Sequence, residues 1–216
     1  MNDARRAARV DGAATRSRIL EGAGELFARH GYAETTGKAI AEKAGVDLAS
    51  INYHFGNRSG LYQAVLAEAH SRLVSLSDLS RLTAAELSPS DRLRSLFQSL
   101  VDSILLEGGW HVDVLAREIG SPTSHFQHLL SAEIEPKLVH VMEIVSSITG
   151  IPVRDPALLR CLISVASPCL VMLLGRNLPG PMRAVARMPP ADLVAHLHTF
   201  AMAGLTSIGR QHSSAA

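Results

Sequence analysis

Ala49-Ser50-Ile51-Asn52-Tyr53-His54 is a set of side chains suited to touching a nucleic-acid duplex. The small residues at 49 and 50 let a helix approach a groove closely. Asn52 offers a donor and an acceptor on one amide, and Tyr53 and His54 have the length to reach phosphate oxygens. Chemistry of this kind needs no catalytic group, but it does need a short rigid helix that presents these residues outward.

The surrounding sequence supplies one. A first short helix opens at a Thr cap, Thr35 or Thr36, and puts Ile40, Ala41 and Ala44 on one face. Gly45 tolerates positive φ and ends that helix sharply. Asp47 suits the N-cap of the second helix, whose Leu48, Ile51 and Phe55 are spaced to face inward. This is the grammar of a helix-turn-helix. Thr15 to Gly31 forms a preceding helix with Ile19, Leu20, Ala23, Leu26 and Phe27 as its stripe, and Asn57 caps a following helix that begins at Arg58 and carries Leu61, Val65, Ala69 and Leu73.

LFARHGYAETT, then IAEKAGV, then INYHFGNRSGLY resembles the N-terminal domain of TetR-family transcriptional regulators. The run LAREIGSPTSHF, followed by EIEPKL, resembles the CecR-like branch of that family. The resemblance implies an all-α homodimer with an N-terminal three-helix helix-turn-helix domain and a larger helical domain for ligand binding and dimerisation. Such a dimer binds a palindromic double-stranded DNA operator and is released by a small-molecule effector. Family members are mostly repressors by occlusion, and by that analogy this chain is expected to be one. The resemblance also implies that Thr36 and Lys38 lie near phosphates, that Ala49 to His54 enter the major groove, and that Arg58 clamps the backbone. The residues assigned to the duplex are Thr35, Thr36, Lys38, Leu48, Ala49, Ser50, Asn52, Tyr53, His54 and Arg58. Gly37, Asn52 and Arg58-Ser59 depart from the family pattern. Asn52 stands where an aromatic residue is usual, so the operator sequence does not carry over.

Charge adds little. Residues 1–62 hold nine Lys or Arg against seven Asp or Glu, and the remainder holds twelve against thirteen. Arg5, Arg6, Arg9, Arg16 and Arg18 concentrate at the front, where a disordered basic arm over residues 1–12 is either a solvated tail or a minor-groove and phosphate contact. The helix-turn-helix domain is expected over 13–60, a helical effector-binding and dimerisation domain over 61–210, and a frayed tail over 211–216. The start of the chain lacks an apolar signal region, and Leu162 to Leu174 is short and interrupted by Pro168, so a cytoplasmic protein that makes no membrane contact is expected.

Beyond residue 73 helix follows helix: Asp91 to Leu106, Trp110 to Ile119, Ser124 to Ile148 with a kink at Pro136, Asp155-Pro156 to Leu174, and Ala191 to Ile208. The helices Leu158 to Leu174 and Leu193 to Leu205 are apolar nearly all round. They are either central to one domain or paired with their copies, and a homodimer through these last two helices is the reading favoured. The effector is expected among Phe97, Val101, Leu105, Trp110, Leu115, Phe126, Val141, Met142, Val145 and Met172, with Arg117, Glu118 and His140 as polar groups to watch. Each of these is also an ordinary core candidate.

Enzyme chemistry has no foothold in the motifs. There is no G-x-S-x-G, phosphate-binding glycine loop, G-x-G-x-x-G after a strand, or H-E-x-x-H, so no catalytic residue, cofactor or metal site is expected. His125 and His128 are one helical turn apart but lack companion ligands, His196 and His198 point apart on a helix, and all four are expected at a surface or interface. Cys161 and Cys169 read as buried thiols. The competing reading is a helical protein-interaction adaptor whose helix-turn-helix packs on a partner instead of DNA.

Overall fold

The computed structural model describes the backbone of residues 2–215 except 177, and the side chains of 11–214 except 107 and 177. It contains twelve α-helices and no strand among the described residues, as an all-α chain should. These are α1 (Asn2–Glu34), α2 (Gly37–Ala44), α3 (Leu48–Phe55), α4 (Arg58–Leu73), α5 (Leu76–Ala84) and α6 (Pro89–Asp102), followed by α7 (Trp110–Gly120), α8 (Phe126–Leu129), α9 (Glu135–Thr149), α10 (Pro156–Gly175), α11 (Pro181–Val185) and α12 (Pro190–Ala215). π-helical turns, Ser103–Glu107 and Leu130–Ile134, follow α6 and precede α9. The backbone runs helical without a break from Phe126 through the second π-helical turn to Thr149, with Ile134 still in the α region, so Pro136 lies inside one long helical stretch whose widened turn accommodates its missing N–H.

The chain divides into two compact units. The first joins Met1–His70 to Gly109–Leu129, and the second joins Ser71–Gly108 to Leu130–Ala216. Sequence alone ends the helix-turn-helix unit near residue 60 and makes it continuous. In the structure it also takes in most of α4, together with α7 and α8, because α7 packs along α1 with Val112, Val114 and Leu115 wholly buried.

Both ends are more helical than expected. α1 starts at Asn2 in place of an irregular arm, in keeping with the alanine-rich stretch Ala4 to Ala14. The side chains of Arg5, Arg6 and Arg9 lie outside the described residues. α12 continues through 211–215 in place of a frayed tail. Its last turns are held where Gly209 passes so close to the Thr149 carbonyl that a Cβ would collide, and where His212 Nε2 stands 3.3 Å from an Asp155 carboxylate oxygen. α5 and α11 are additions to the helices read from sequence; they are short and lie in stretches rich in Ser, or in Pro and Gly.

In the second unit α6, α9, α10 and α12 pack together around Leu93, Leu96, Phe97, Ile144, Leu158 and Leu205. α10 is 20 residues long and runs through Pro168, so by length and composition alone it could cross a membrane, contrary to the shorter segment read from sequence. Its face carrying Leu158, Cys161, Leu162, Val165 and Cys169 is packed against the other helices of the unit. Leu159, Ile163, Leu170 and Val171 on the other side are exposed. Burial pushes the Cys169 thiol up to about 12 and raises Cys161 as well, which leaves both as neutral packing groups.

Candidate nucleic-acid interface

α2 and α3 are set by capping chemistry. Thr36, not Thr35, is the N-cap of α2, accepting from Ala39 N at 3.2 Å. Thr35 is instead buried, its hydroxyl donating to the Gly31 carbonyl at 2.8 Å. Gly45 takes φ 63° and its N–H closes α2 on the Ala41 and Glu42 carbonyls. Asp47 caps α3 by accepting from Ser50 N at 2.7 Å, and that hydrogen bond holds its carboxyl below the usual carboxylate range. Asn57 accepts from Gly60 N at 2.9 Å to start α4.

Only Ile51 of α3 is buried. Leu48, expected to face inward, is 51% exposed, because it stands at the first position of the helix, beyond the small core. Phe55 is half-buried under the Arg16 guanidinium, which lies 5.0 Å from its ring centroid. Tyr53 is 85% exposed and Ala49 and Asn52 are exposed beside it, while His54, half-buried, stacks edge-on to Tyr53. Thr36 and Lys38 are also exposed. Leu48, Ala49, Asn52 and Tyr53 thus form one open face of α3, backed by Ile51. Arg58 is engaged within the unit: its Nη1 donates to the Thr35 carbonyl at 2.8 Å and its guanidinium lies 4.4 Å from the Tyr32 ring centroid. It ties the start of α4 to the turn before α2.

Behind this face lies a polar cluster that periodicity could not announce. Glu118 of α7 is fully buried; it accepts from Tyr62 Oη at 2.8 Å, Thr123 N at 3.0 Å and Thr123 Oγ1 at 2.9 Å. Burial and the hydrogen bond to Glu118 push the Tyr62 hydroxyl up, so it remains a donor. His125, expected at a surface or interface, is instead 6% exposed, because its ring nitrogens share hydrogen bonds with Ser59 Oγ at 2.8 Å and Thr123 Oγ1 at 3.1 Å. Tyr32, Tyr62 and Phe27 complete the cluster as mutually tilted rings. The residues flanking Arg58 are therefore fixed from below by α7 and the turn after it. Of this cluster, Glu118 alone stands out in the sequence as a polar group to watch. The others sit at positions that a helical stripe would assign to core or surface by type.

The residues suggested for the effector do not form one group. Trp110, Arg117 and Phe126 belong to the first unit. Trp110 Nε1 donates to Glu21 at 2.6 Å, and its ring lies so close over Gly24 that a Cβ there would collide. Arg117 donates to the Ala28 and Arg29 carbonyls near the end of α1, where Gly31 (φ 79°) breaks the helix. Phe97, Val101 and Met172 are buried in the second unit, while Leu105, Met142 and His140 are half-buried there. His140 is held by Ser80 and Thr83, each at 3.3 Å. His198, expected at a surface or interface, is buried within the unit, with its Nε2 on Ser90 and its Nδ1 accepting from Arg94 at 3.1 Å. No group of three His, Cys, Asp or Glu gathers at metal-binding spacing among the described residues.

An outward-facing second helix on a capped helix-turn-helix, within an all-helical chain, defines the class as a DNA-binding regulator. Residues 19–65 match the profile of bacterial regulatory proteins of the tetR family, and residues 89–207 match the C-terminal domain of the HTH-type transcriptional dual regulator CecR. The chain belongs to the TetR family of transcriptional regulators, with a CecR-type C-terminal domain.

Among curated relatives it is 36% identical over 93 residues to the probable HTH-type transcriptional regulator ArpR of Pseudomonas putida, a match covering 43% of this chain and 44% of that one. It is 37% identical over 59 residues to the HTH-type transcriptional repressor AcnR of Corynebacterium glutamicum, covering 27% and 31%. The chain thus spans less than half the length of the curated relatives it matches. Its fold is similar to that of the fatty acid degradation regulator FadR from Bacillus halodurans, with TM-score 0.70, 15% identity and 88% and 96% of the two chains covered. It is also similar to the TetR family transcriptional regulator PfmR from Thermus thermophilus, with TM-score 0.64, 20% identity and 86% and 97% covered.

Proposed function

We propose that this chain is a cytoplasmic, ligand-responsive repressor that binds a palindromic DNA operator as a homodimer and is released by a small molecule held in the second unit. The observation that carries the reading is the open face of α3, where Tyr53 stands 85% exposed beside Asn52 and Ala49 on a helix locked by Asp47 and Ile51. Ala49, Ser50, Asn52 and Leu48 meet base edges, and Tyr53, His54, Thr36 and Lys38 meet phosphates. Thr35 and Arg58 act by shaping the turn from which this face projects. A palindrome requires two such faces about one DNA turn apart, roughly 34 Å. The exposed Ile163 (64%) and Phe200 (72%) on the last two long helices supply an apolar surface on which two copies pair by a two-fold contact.

The test is operator binding by fluorescence anisotropy, on fragments selected from genomic DNA by the purified protein. Affinity should fall steeply as salt rises. Tyr53→Ala should weaken all sequences alike by about tenfold, and Asn52→Ala should change the preferred base at one position in each half-site. Phe200→Glu should convert a dimer to a monomer in sedimentation velocity and abolish tight operator binding. DNA retention that ignores both salt and Tyr53→Ala would transfer the α3 face to a protein partner, as an adaptor requires.

A further inference from the structure

The second unit contains an open cavity of about 460 Å³ lined by Ile104, Leu105, Arg176, Arg183, Ala186 and Arg187. Among the described residues no Asp or Glu lines it, and the stretch 176–188 carries these three arginines without an acid. Arg176 is anchored, its Nη1 donating to the Ile104 carbonyl at 3.1 Å. That carbonyl belongs to the π-helical turn Ser103–Glu107, and such turns are frequent at functional sites. The arginine-bearing α11 is drawn in because Met182 lies close over Gly175, where a Cβ would crowd it. Arg183 and Arg187 are exposed, and the guanidinium of neither has a hydrogen-bond or ion-pair partner among the described residues.

Like charges converging on one concavity repel each other until an anion is placed between them, and a guanidinium pairs with carboxylate or phosphate through two parallel hydrogen bonds. Leu105, half-buried, gives the same cavity a small apolar edge over the buried Ile104. We infer that this cavity binds an organic anion, a carboxylate or phosphate monoester on a short apolar body, with Arg183 and Arg187 closing on the charged end. That this anion is the effector rests on the regulator reading above; that the cavity binds it does not.

The probes are octanoate, octyl phosphate and the uncharged octanol, titrated calorimetrically into the full chain and into the double variant R183Q/R187Q. Arg176→Gln is avoided because Arg176 braces Ile104. Octanoate or octyl phosphate should bind at least about tenfold more tightly than octanol, and the double variant should lose that advantage. Whichever of the two anions binds identifies the headgroup. Equal binding of octanol, an unchanged advantage in R183Q/R187Q, or no binding of either anion would overturn the assignment. Operator affinity measured with and without the bound anion separates the two readings: anion binding that leaves it unchanged upholds the cavity and rejects its role as the effector site.

Discussion

The two units bury different kinds of surface. The first holds its elements together with polar groups far apart in sequence: Glu118 on Tyr62, His125 on Ser59, Trp110 on Glu21, Arg58 on Thr35 and Arg117 on the end of α1. The second has long-range polar bonds too, His198 on Ser90 and Arg94 and Arg176 on Ile104, but its core is mainly aliphatic, and α10 and α12 leave Ile163, Leu170, Val171 and Phe200 uncovered. A buried hydrogen bond is satisfied only in one geometry, whereas aliphatic packing tolerates rearrangement at small cost. The unit that carries α3 is thus held largely by buried polar geometry, and the unit proposed to take ligand and partner leaves apolar surface uncovered.

The largest effect should come from Glu118→Ala, which leaves Tyr62 Oη, Thr123 N and Thr123 Oγ1 without their acceptor in a fully buried site and should cost about 3 kcal/mol or more. Glu118→Gln keeps an acceptor for Thr123 and should cost only about 1 kcal/mol. Trp110 is the sole tryptophan in the chain and lies in the first unit, so its fluorescence follows that unit while far-UV circular dichroism follows the helices of both. In urea, Glu118→Ala should bring the fluorescence transition ahead of the dichroism transition. Coincident transitions in the variant would break the contrast between the units.

Next in size is Gly24→Ala. The added methyl meets the Trp110 ring, so either the ring leaves its seat and Nε1 loses Glu21, or α7 shifts on α1. Overpacking of this kind should cost about 1–3 kcal/mol. It should also shift Trp110 emission to the red at low denaturant. Unchanged emission and stability would mean that α7 rests only loosely on α1.

What could be read from sequence follows the same division. The punctuation of α2, α3 and α4 at Gly45, Asp47 and Asn57 was legible, with the α2 cap narrowed to Thr35 or Thr36, because capping is local: each group acts within four residues. Asp155-Pro156 marked the start of α10 for the same reason. The return of residues 109–129 to the first unit was not legible, since Trp110 and Glu21 are 89 residues apart and nothing in either neighbourhood names the other. Leu48 misled because helical spacing gives a face but not where a short helix outruns its core. His198 misled because a buried imidazole looks like a surface one until Ser90 and Arg94 are seen around it.

The smallest effect is the one that isolates a single proton. His125 is buried against Ser59, Thr123 and the rings of Tyr32 and Tyr62, and burial lowers its pKa below the ordinary 6.5; the Arg58 and His128 charges lower it further and Glu118 opposes them. Above 6.5 the imidazole is neutral in folded and unfolded chains alike, and titration contributes nothing. As pH falls through 6.5 the unfolded chain takes up a proton that the folded chain still refuses, so stability declines. The decline ends only below the folded value, where both states are protonated. Ten histidines titrate in this range, so the quantity to measure is the difference between wild type and His125→Gln, from urea midpoints by Trp110 fluorescence at about pH 7.5 and about pH 5.5. The variant should lose less stability over this interval than the wild type. Equal losses would mean that the imidazole in this cluster accepts its proton as readily as it would in water, and the first unit would then be less tightly closed than its hydrogen bonds imply.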